Sequence, residues 1–319
     1  MIEFKSLSKT PDATLTNSHY YCDYIELLAL VNIDDGIRID DVYDRFLEDE
    51  RIRGIGSESG GEENGIWISR VQHWFDELYS RTIHYGEHYP FISENNRIRL
   101  REQLDNIHYL YIFLLLCSSL NYITNYHTLT TIFEKCSYFA MKKYLPDVAE
   151  VHQFGVSTEK NERYKGKLIE KYKLLAQDLK LVLSDKPNLF RDMDNGDGGV
   201  DIVAWVPFKD DPNLDKKQIF MGQSACGKNW NNKQASVDRI KNYLIDLPSN
   251  AQNILFVPYD FRDSNRCFCQ HGEITASIIF DRHRIIKLVN YSYIADDEIM
   301  GEQFEKIIHA TLNFKEDII

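Results

Sequence analysis

Two short apolar runs in the second half of the chain limit its fold more than any other feature. Residues 200–206 read Val-Asp-Ile-Val-Ala-Trp-Val and residues 218–226 read Gln-Ile-Phe-Met-Gly-Gln-Ser-Ala-Cys, which suits buried β-strands. Apolar residues recur at steps of three and four over 167–182 and over 233–247, which predicts an amphipathic helix on either side of this pair. Helices that alternate with short buried strands indicate an α/β domain with a mixed sheet.

The remainder of the chain falls into two parts. After the second helix the pattern predicts strands at 253–258 and 274–280 and a closing helix near 300–311. Between Asp23 and Pro146 the apolar spacing is helical, apart from a glycine-rich stretch that we expect to be a flexible loop, 54–65. We therefore predict an all-α N-terminal domain with a scaffold or docking role over 1–148, and the α/β domain over 149–319.

The composition excludes several classes of protein. With 43% hydrophobic and 27% charged residues, the sequence is that of a globular protein rather than a disordered chain, a coiled coil or a collagen-like rod. No run reaches the roughly 18 apolar residues that a membrane span needs. The segment 109–117 comes nearest and is expected to be a buried helix. The first residues lack the basic and apolar regions of an export signal, so we expect a cytoplasmic protein with no membrane partner.

Charge is distributed unevenly along the chain. The net charge is −12, which argues against a protein that holds a polyanion by itself. Only 151–240 is net positive, with 15 Lys and Arg against 13 Asp and Glu, and its cations cluster at 160–173 and 216–241. These clusters are either solvated surface or a surface that faces phosphate. A chain this acidic is expected to rely on a partner protein to bring it to any polyanion, with the helical domain as the contact surface.

A glycine loop rich in carboxylates leads into the first of the two strands. It reads Asp-Asn-Gly-Asp-Gly-Gly-Val-Asp over 194–201, and Asp201 opens the strand. Gln223 lies near the end of the next strand, so the polar ends of two neighbouring strands are expected to meet. Carboxylate and amide oxygens suit Mg²⁺, so Asp201, Asp197 and Gln223 are candidate ligands. Asp201 stands out because aspartate is disfavoured within strands, whereas Asp197 is also explained as an ordinary turn residue.

These motifs resemble those of the PD-(D/E)XK, or restriction-endonuclease-like, nuclease superfamily. The resemblance covers about 150–290, with Gly199-Val200-Asp201 as the aspartate motif and Gly-Gln-Ser-Ala-Cys-Gly-Lys-Asn-Trp over 222–230 as the second motif. The whole chain also resembles nuclease-type proteins of bacterial antiphage islands, in which a helical front half precedes such a domain. The resemblance implies a restriction-endonuclease-like mixed sheet flanked by helices and a bound Mg²⁺ or Mn²⁺. It also implies a further acidic ligand on the first helix, Glu170.

One position departs from the superfamily pattern. A lysine is expected two residues after the second metal ligand, and Ala225 stands there. Strand alternation puts Ala225 on the same face as Gln223, so the ammonium group must come from elsewhere. The candidates are Lys228, in the following turn, and Lys233, which continues the buried stripe of the next helix or extends past its end into solvent. Glu170 lies opposite the apolar stripe of its own helix, where a solvated position is the alternative to a metal ligand.

Together these features predict a metal-dependent endonuclease that hydrolyses DNA phosphodiester bonds. The resemblance further implies the effector subunit of a bacterial antiphage defence system. Asp201 and Gln223 would hold the ion, and Lys228 or Lys233 would orient the attacking water or stabilise the developing charge. The alternative is a non-catalytic subunit that binds nucleic acid or a protein on a degenerate nuclease fold, which the missing lysine and the acidic charge favour. An RNA substrate is a third alternative.

Overall fold

The computed structural model divides the chain into two compact units. Unit 1 comprises Met1–Thr130, Pro258–Gln270 and Asn290–Ile319, and unit 2 comprises Thr131–Val257 and His271–Val289. The sequence predicts one boundary after residue 148, whereas here two later segments return to the first unit. The structure describes residues 3–5, 7–12, 17–33, 36–49, 60–155, 163–186, 189–190, 198–208, 217–269, 271–298 and 300–317, without the side chains of 60–64 and 271.

The helices and strands are numbered in chain order. The helices are α1 (Ser18–Val31), α2 (Ile39–Glu48), α3 (Gly60–Tyr85), α4 (Asn106–Ser118), α5 (His127–Tyr144), α6 (Leu168–Leu179), α7 (Ser236–Ile240), α8 (Arg282–Leu288), α9 (Tyr291–Ala295) and α10 (Gly301–Asn313). The strands are β1 (Glu3–Phe4), β2 (Ile37–Arg38), β3 (Phe91–Glu94), β4 (Arg97–Leu100), β5 (Ile123–Thr124), β6 (Glu150–Gln153), β7 (Val182–Leu183), β8 (Ile202–Val206), β9 (Gln218–Ser224), β10 (Leu244–Ile245), β11 (Gln252–Phe256) and β12 (Ser277–Phe280). In the part of the chain that the structure describes, no helix combines the length and the apolar character needed to cross a bilayer.

Unit 1 contains β-structure, so the prediction of an all-α N-terminal domain is wrong. Strands β2, β4 and β3 form an antiparallel three-stranded sheet in that order. Asn95 and Asn96 connect β3 to β4 with φ angles of 52° and 56°, the left-handed conformation that a two-residue hairpin turn requires. The expected loop at 54–65 is also corrected in part, because α3 begins at Gly60; residues 54–59 lie outside the described ranges.

Two late segments belong to unit 1 because they complete its core. Phe304 of α10 packs edge-on against Phe113 of α4, with ring centroids 5.2 Å apart. Lys315 Nζ donates a hydrogen bond to the carbonyl oxygen of Leu30, at 2.8 Å. Asp260, in the middle segment, places its carboxylate 3.3 Å from the guanidinium of Arg81 on α3. The first unit is therefore closed by residues far along the chain.

Unit 2 is built on a mixed five-stranded sheet, which confirms the predicted α/β class. The strand order is β12-β11-β9-β8-β6, with β8 antiparallel to β9 and β6, and with β11 parallel to β9 and β12. Helices α6 and α7 cover one face of this sheet, where their apolar residues join one buried cluster with inward residues of β8 and β9. Its members include Leu168, Tyr172, Leu175, Leu179, Val203, Trp205, Ile219, Met221, Val237 and Ile240.

The helix predicted over 233–247 is much shorter in the structure. It is preceded by a 3-10 turn, Trp230–Lys233, and followed by β10, which pairs with β7. The amide of Val237 is bound by the side chain of Asn253 at 2.7 Å, and the carbonyl of Tyr243 accepts the amide of Ser184 at 2.8 Å. These contacts with distant residues use backbone groups that a longer helix would have paired internally.

The end of α6 offers a test of local conformation. Lys180 ends this helix with φ 53° and ψ 44°, where glycine avoids a steric cost of about 1 kcal/mol. Lys180→Gly is therefore expected to raise the free energy of unfolding by up to about 1 kcal/mol. The same change at Lys173, exposed in the middle of α6, should lower it by about 1 kcal/mol. Denaturant titration measures both, and destabilisation by both variants would contradict the left-handed assignment.

Candidate functional site

Asp201, immediately before β8, is fixed by contacts from two other segments. Its amide donates to the carbonyl of Gly222 at 2.9 Å, and its carbonyl accepts the amides of Phe154 at 2.7 Å and Gly155 at 3.1 Å. The residue is 8% exposed. Its carboxylate Oδ2 accepts the backbone N–H of Ser224 at 2.6 Å. The structure thus holds this predicted ligand at the end of the sheet in one defined orientation.

A second carboxylate, which the sequence did not single out, approaches Asp201 across Gly155. Glu134 is half-buried on α5. A methyl group added at Gly155 would lie 3.4 Å from Asp201 Oδ1 and 3.4 Å from Glu134 Oε2. The two oxygens therefore border the same space and are separated by at most twice that distance. Because Gly155 has no side chain, this space stays open.

Gln223 lies opposite Asp201 in the sheet, but its amide oxygen is directed to other groups. Extending the antiparallel register of β8 and β9 by one residue pairs Asp201 with Gln223. Gln223 Oε1 accepts a hydrogen bond from Arg239 Nη2 at 3.0 Å and lies 3.4 Å from Ser236 Oγ. Ser236 Oγ lies closer to the carbonyl oxygen of Gly199, at 3.0 Å, and a hydroxyl has only one proton to donate, so Arg239 is the firm hydrogen-bond partner of this amide oxygen. In this arrangement Gln223 positions Arg239 rather than offering an oxygen to a metal ion.

Lys233 reaches the end of β9. Its Nζ lies 3.4 Å from the carbonyl oxygen of Ser224, the residue whose amide binds Asp201. Lys233 is exposed at the end of a 3-10 turn, which agrees with the alternative that it extends into solvent and not with the alternative that it continues the buried stripe of a helix. Lys228 is exposed in the turn that follows β9. Lys233 therefore has a defined contact with the strand that carries the second motif.

A buried lysine outside the sequence motifs contacts the backbone next to Asp201. Lys171 of α6 is 2% exposed, and its Nζ donates to the carbonyl oxygens of Phe154 at 3.3 Å and Gly155 at 3.1 Å. A signal was present in the sequence, because Lys171 is three residues after Leu168 and four before Leu175. It therefore lies on the buried stripe of its helix.

Arg239 of α7 connects the glycine loop to Gln223. A methyl group added at Gly199 would lie only 2.6 Å from Arg239 Nη1, so the guanidinium packs directly on this glycine. Gly199 has φ +84°, a conformation that glycine adopts without a steric cost. The glycine therefore turns the chain towards Asp201 and also leaves room for a cation.

The structure gives no support to the other two predicted ligands, Glu170 and Asp197. Glu170 is exposed, and its carboxylate accepts the backbone N–H of Lys167 at 2.8 Å as part of the start of α6. This is the solvated position that the helical wheel indicates. Asp197 lies outside the described residues, as does Asp194.

Strand β9 and helix α5 each carry a further buried polar side chain. Ser224 Oγ is buried and has no hydrogen-bond partner among the described residues, which is expected where a water or an ion takes part. Strand alternation directs Ser224 to the same face as Gly222, which packs against Met141 of α5. Burial raises the pKa of the Cys136 thiol on the same helix, so this cysteine stays protonated at neutral pH and is not a nucleophile.

The donor set at this edge suits a hard cation only with help from other oxygens. Among the described residues, no three His, Cys, Asp or Glu side chains are grouped to hold a metal ion. Asp201 and Glu134 would therefore need backbone or water oxygens to complete a coordination shell. We found no protein-family model, curated protein or solved structure that matches the chain.

Proposed function

We propose that unit 2 is a metal-dependent nuclease that hydrolyses phosphodiester bonds in DNA. The observation that carries the proposal is the pair of carboxylates, Asp201 and Glu134, whose oxygens border one open space at Gly155. The placement of Asp201 at a strand start and Gln223 at the end of the neighbouring strand supports it, since this is the arrangement that the nuclease resemblance implies. A restriction-endonuclease-like fold for this sheet is part of the same proposal.

The donor chemistry fits Mg²⁺ or Mn²⁺. Asp201 Oδ1 and Glu134 Oε2 are hard oxygen donors, and the Asp201 carboxylate is held by the backbone amide of Ser224, at 2.6 Å. A bound divalent ion would polarise the phosphoryl oxygen and lower the pKa of the attacking water. Because only two carboxylates contribute, we expect the ion to be held weakly and the activity to need millimolar rather than micromolar metal.

The chain supplies three cations where the superfamily pattern has one lysine. Lys233 contacts the carbonyl of Ser224, Lys171 contacts that of Gly155, and Arg239 packs on Gly199. Their fixed positive charges would stabilise the negative charge of a phosphodiester and of its transition state. Arg239 is held in place by Gln223, which gives the amide of the second motif a positioning role.

The competing function is a binding subunit without catalysis. It is favoured by the occupied amide oxygen of Gln223 and by Ala225, whose methyl group is buried where the superfamily has an ammonium group. Such a protein would still bind nucleic acid through Lys233 and Arg239, and a metal ion would not change its behaviour. The two functions therefore differ in their dependence on Mg²⁺.

A cleavage assay separates these functions. Purified full-length protein is incubated with supercoiled DNA, and separately with single-stranded RNA, in Mg²⁺ or Mn²⁺. We expect nicking of DNA that EDTA abolishes. Cleavage of RNA alone would show that the substrate is RNA and not DNA. No cleavage of either nucleic acid would favour the binding subunit without catalysis.

Gly155→Ala tests where the metal binds. The added methyl group would occupy the space between Asp201 and Glu134 at distances that the fold accepts, 3.4 Å from each oxygen. We expect the Mg²⁺ concentration for half-maximal cleavage to rise by roughly tenfold, in the range seen when groups supporting a metal site are changed. Gly272→Ala is the matched control, because an added methyl group there meets nothing within 4 Å. An unchanged metal requirement in Gly155→Ala would place the ion elsewhere.

The antiphage role and a partner subunit are also proposals, and they rest on the sequence resemblance and on the net charge of −12. Phage plaque counts in cells that express the wild type or Asp201→Asn test the first. Co-purification of a partner with the full chain tests the second. Equal plaque counts for the two proteins would separate any defence role from the proposed nuclease site.

A further inference from the structure

A cleft of about 480 Å³ in unit 1 has three arginines in its wall. They lie on the small sheet β2-β4-β3, where Arg38 is paired with Arg97 across neighbouring strands. Arg99 is two residues from Arg97 along β4, so strand alternation puts it on the same face. Three guanidinium groups therefore share one side of a sheet in a region with 14 Lys and Arg against 24 Asp and Glu over 1–150.

Two of these arginines face each other directly across neighbouring strands. Like charges directly opposite each other on neighbouring strands are destabilising, and Arg38 and Arg97 occupy such a pair. Glu94 is the cross-strand partner of Arg97 on the other side. Within the described residues, Arg38 and Arg99 form no ion pair. Gly36 makes room for the side chains of Arg97 and Arg99, since an added methyl group there would lie 2.8 Å from Arg99 Cβ and 3.2 Å from Arg97 Nε.

We propose that this cleft binds the phosphate groups of a nucleoside di- or triphosphate. Guanidinium groups bind phosphate oxygens through paired hydrogen bonds, and several of them around one concave site give strong and oriented binding. Bound phosphate would also remove the repulsion between Arg38 and Arg97. The site is separate from the proposed nuclease site, because all of its residues belong to unit 1.

The walls of the cleft favour a nucleotide over a nucleic acid. A volume of about 480 Å³ lies in the range of small-molecule sites. Ile39 and Ile92 supply apolar surface for a base, and the Asn95 side chain supplies an amide. Asp40 and Glu94 also line the cleft. Their carboxylates would repel the continuing backbone of a polyanion but leave two or three phosphates among the arginines.

Calorimetric titration of the full chain with ATP in EDTA tests the proposal. EDTA keeps the candidate metal site out of the measurement, and Asp201→Asn should bind ATP as the wild type does. In the double variant Arg38→Gln and Arg99→Gln we expect affinity for ATP to fall at least about tenfold, because two charge-assisted contacts are lost. Lys306→Gln, an exposed cation on α10 of the same unit, is the control and should bind as the wild type does.

The melting temperature without ligand separates a binding role from a structural one. If the arginines serve a ligand, the double variant melts at or above the wild-type temperature, because their repulsion is removed. A lower melting temperature, or no ATP binding by the wild type, would overturn the proposal. Equal binding of inorganic tripolyphosphate would overturn the assignment to a nucleotide. Tighter binding of a 20-nucleotide DNA strand than of ATP, dependent on the same arginines, would overturn it in favour of nucleic acid.

Discussion

Replacing Arg81 with Met is expected to lower the free energy of unfolding by about 3–5 kcal/mol. Arg81 Nη1 lies 2.8 Å from Asp23 Oδ1 and 2.9 Å from Glu26 Oε2, and its Nε lies 3.3 Å from Asp260 Oδ2. None of the four side chains is more than 5% exposed. Arg81→Met would remove this positive charge from beside three buried acids, so we expect at least one of them to take up a proton or move.

The facing acids keep Arg81 in its charged form. Burial by itself would lower the pKa of Arg81, but Glu26 and the other facing acids raise it well above the ordinary value. Glu26 cannot turn outwards to relieve a loss of Arg81. Its Oε1 accepts the hydroxyl groups of Tyr89 at 2.7 Å and Tyr111 at 2.8 Å, both on buried residues. The loss of the positive charge is therefore expected to appear fully as a lower free energy of unfolding.

Guanidinium-induced unfolding followed by circular dichroism measures this effect. Lys306→Met is the control, since its ion pair with Glu302 on α10 is exposed to solvent, and its unfolding midpoint should equal that of the wild type. Adding Asp260→Asn to Arg81→Met should recover part of the loss by removing one uncompensated charge. A change below about 1 kcal/mol in Arg81→Met would mean that the buried acids are neutral in the folded protein.

Asp201→Asn is expected to reduce DNA cleavage by at least about a hundredfold, because metal-ion catalysis contributes several kcal/mol. Asparagine keeps the size of the side chain and an oxygen that can accept the Ser224 amide, so the fold should be retained. What is lost is the negative charge that, with Glu134, would hold the ion. The initial rate of plasmid nicking in 10-fold steps of Mg²⁺ concentration measures the effect.

The control for this change is Asp238→Asn. Asp238 is an exposed carboxylate on α7 that pairs with Lys241 at 2.9 Å, and its loss should leave the cleavage rate unchanged. Mg²⁺ should also raise the melting temperature of the wild type but not of Asp201→Asn. Wild-type cleavage by Asp201→Asn would refute the proposed site, whereas loss of cleavage without any effect of Mg²⁺ on melting would argue against a metal ion.

The fold was predictable from sequence where burial alone decides the structure. The strands β8 and β9 appear close to their predicted positions because they are continuous apolar runs that are buried on both faces. The helix α6 does so because its apolar residues recur at the period of a helix with one covered face. The hairpin at 91–100 alternates and carries an Asn-Asn turn, but the helical apolar spacing on either side of it predicts one continuous helical region. The helix predicted over 233–247 failed for a different reason, since hydrogen bonds from residues distant in sequence end it early.

The candidate site was predictable only in part. Asp201 stood out because an aspartate at the start of an apolar strand is unusual, and the structure shows that it is buried and fixed. Glu134 could not be found, because its approach to Asp201 depends on the bare backbone of Gly155, which belongs to a different segment. Lys171 could have been found by the helical wheel that was applied to its neighbour Glu170. Sequence periodicity shows which face a residue occupies, but not which segments meet there.

The late contribution of α10 to unit 1 affects how the chain is made in the cell. Phe113 on α4 can pack against Phe304 only after α10 has been synthesised. At about 5–20 residues per second, a ribosome takes on the order of ten seconds or more to travel from one to the other. During that interval the hydrophobic surface of α4 around Phe113 is exposed on the nascent chain. We therefore expect ribosome-associated chaperones to bind the N-terminal segments until translation has passed α10.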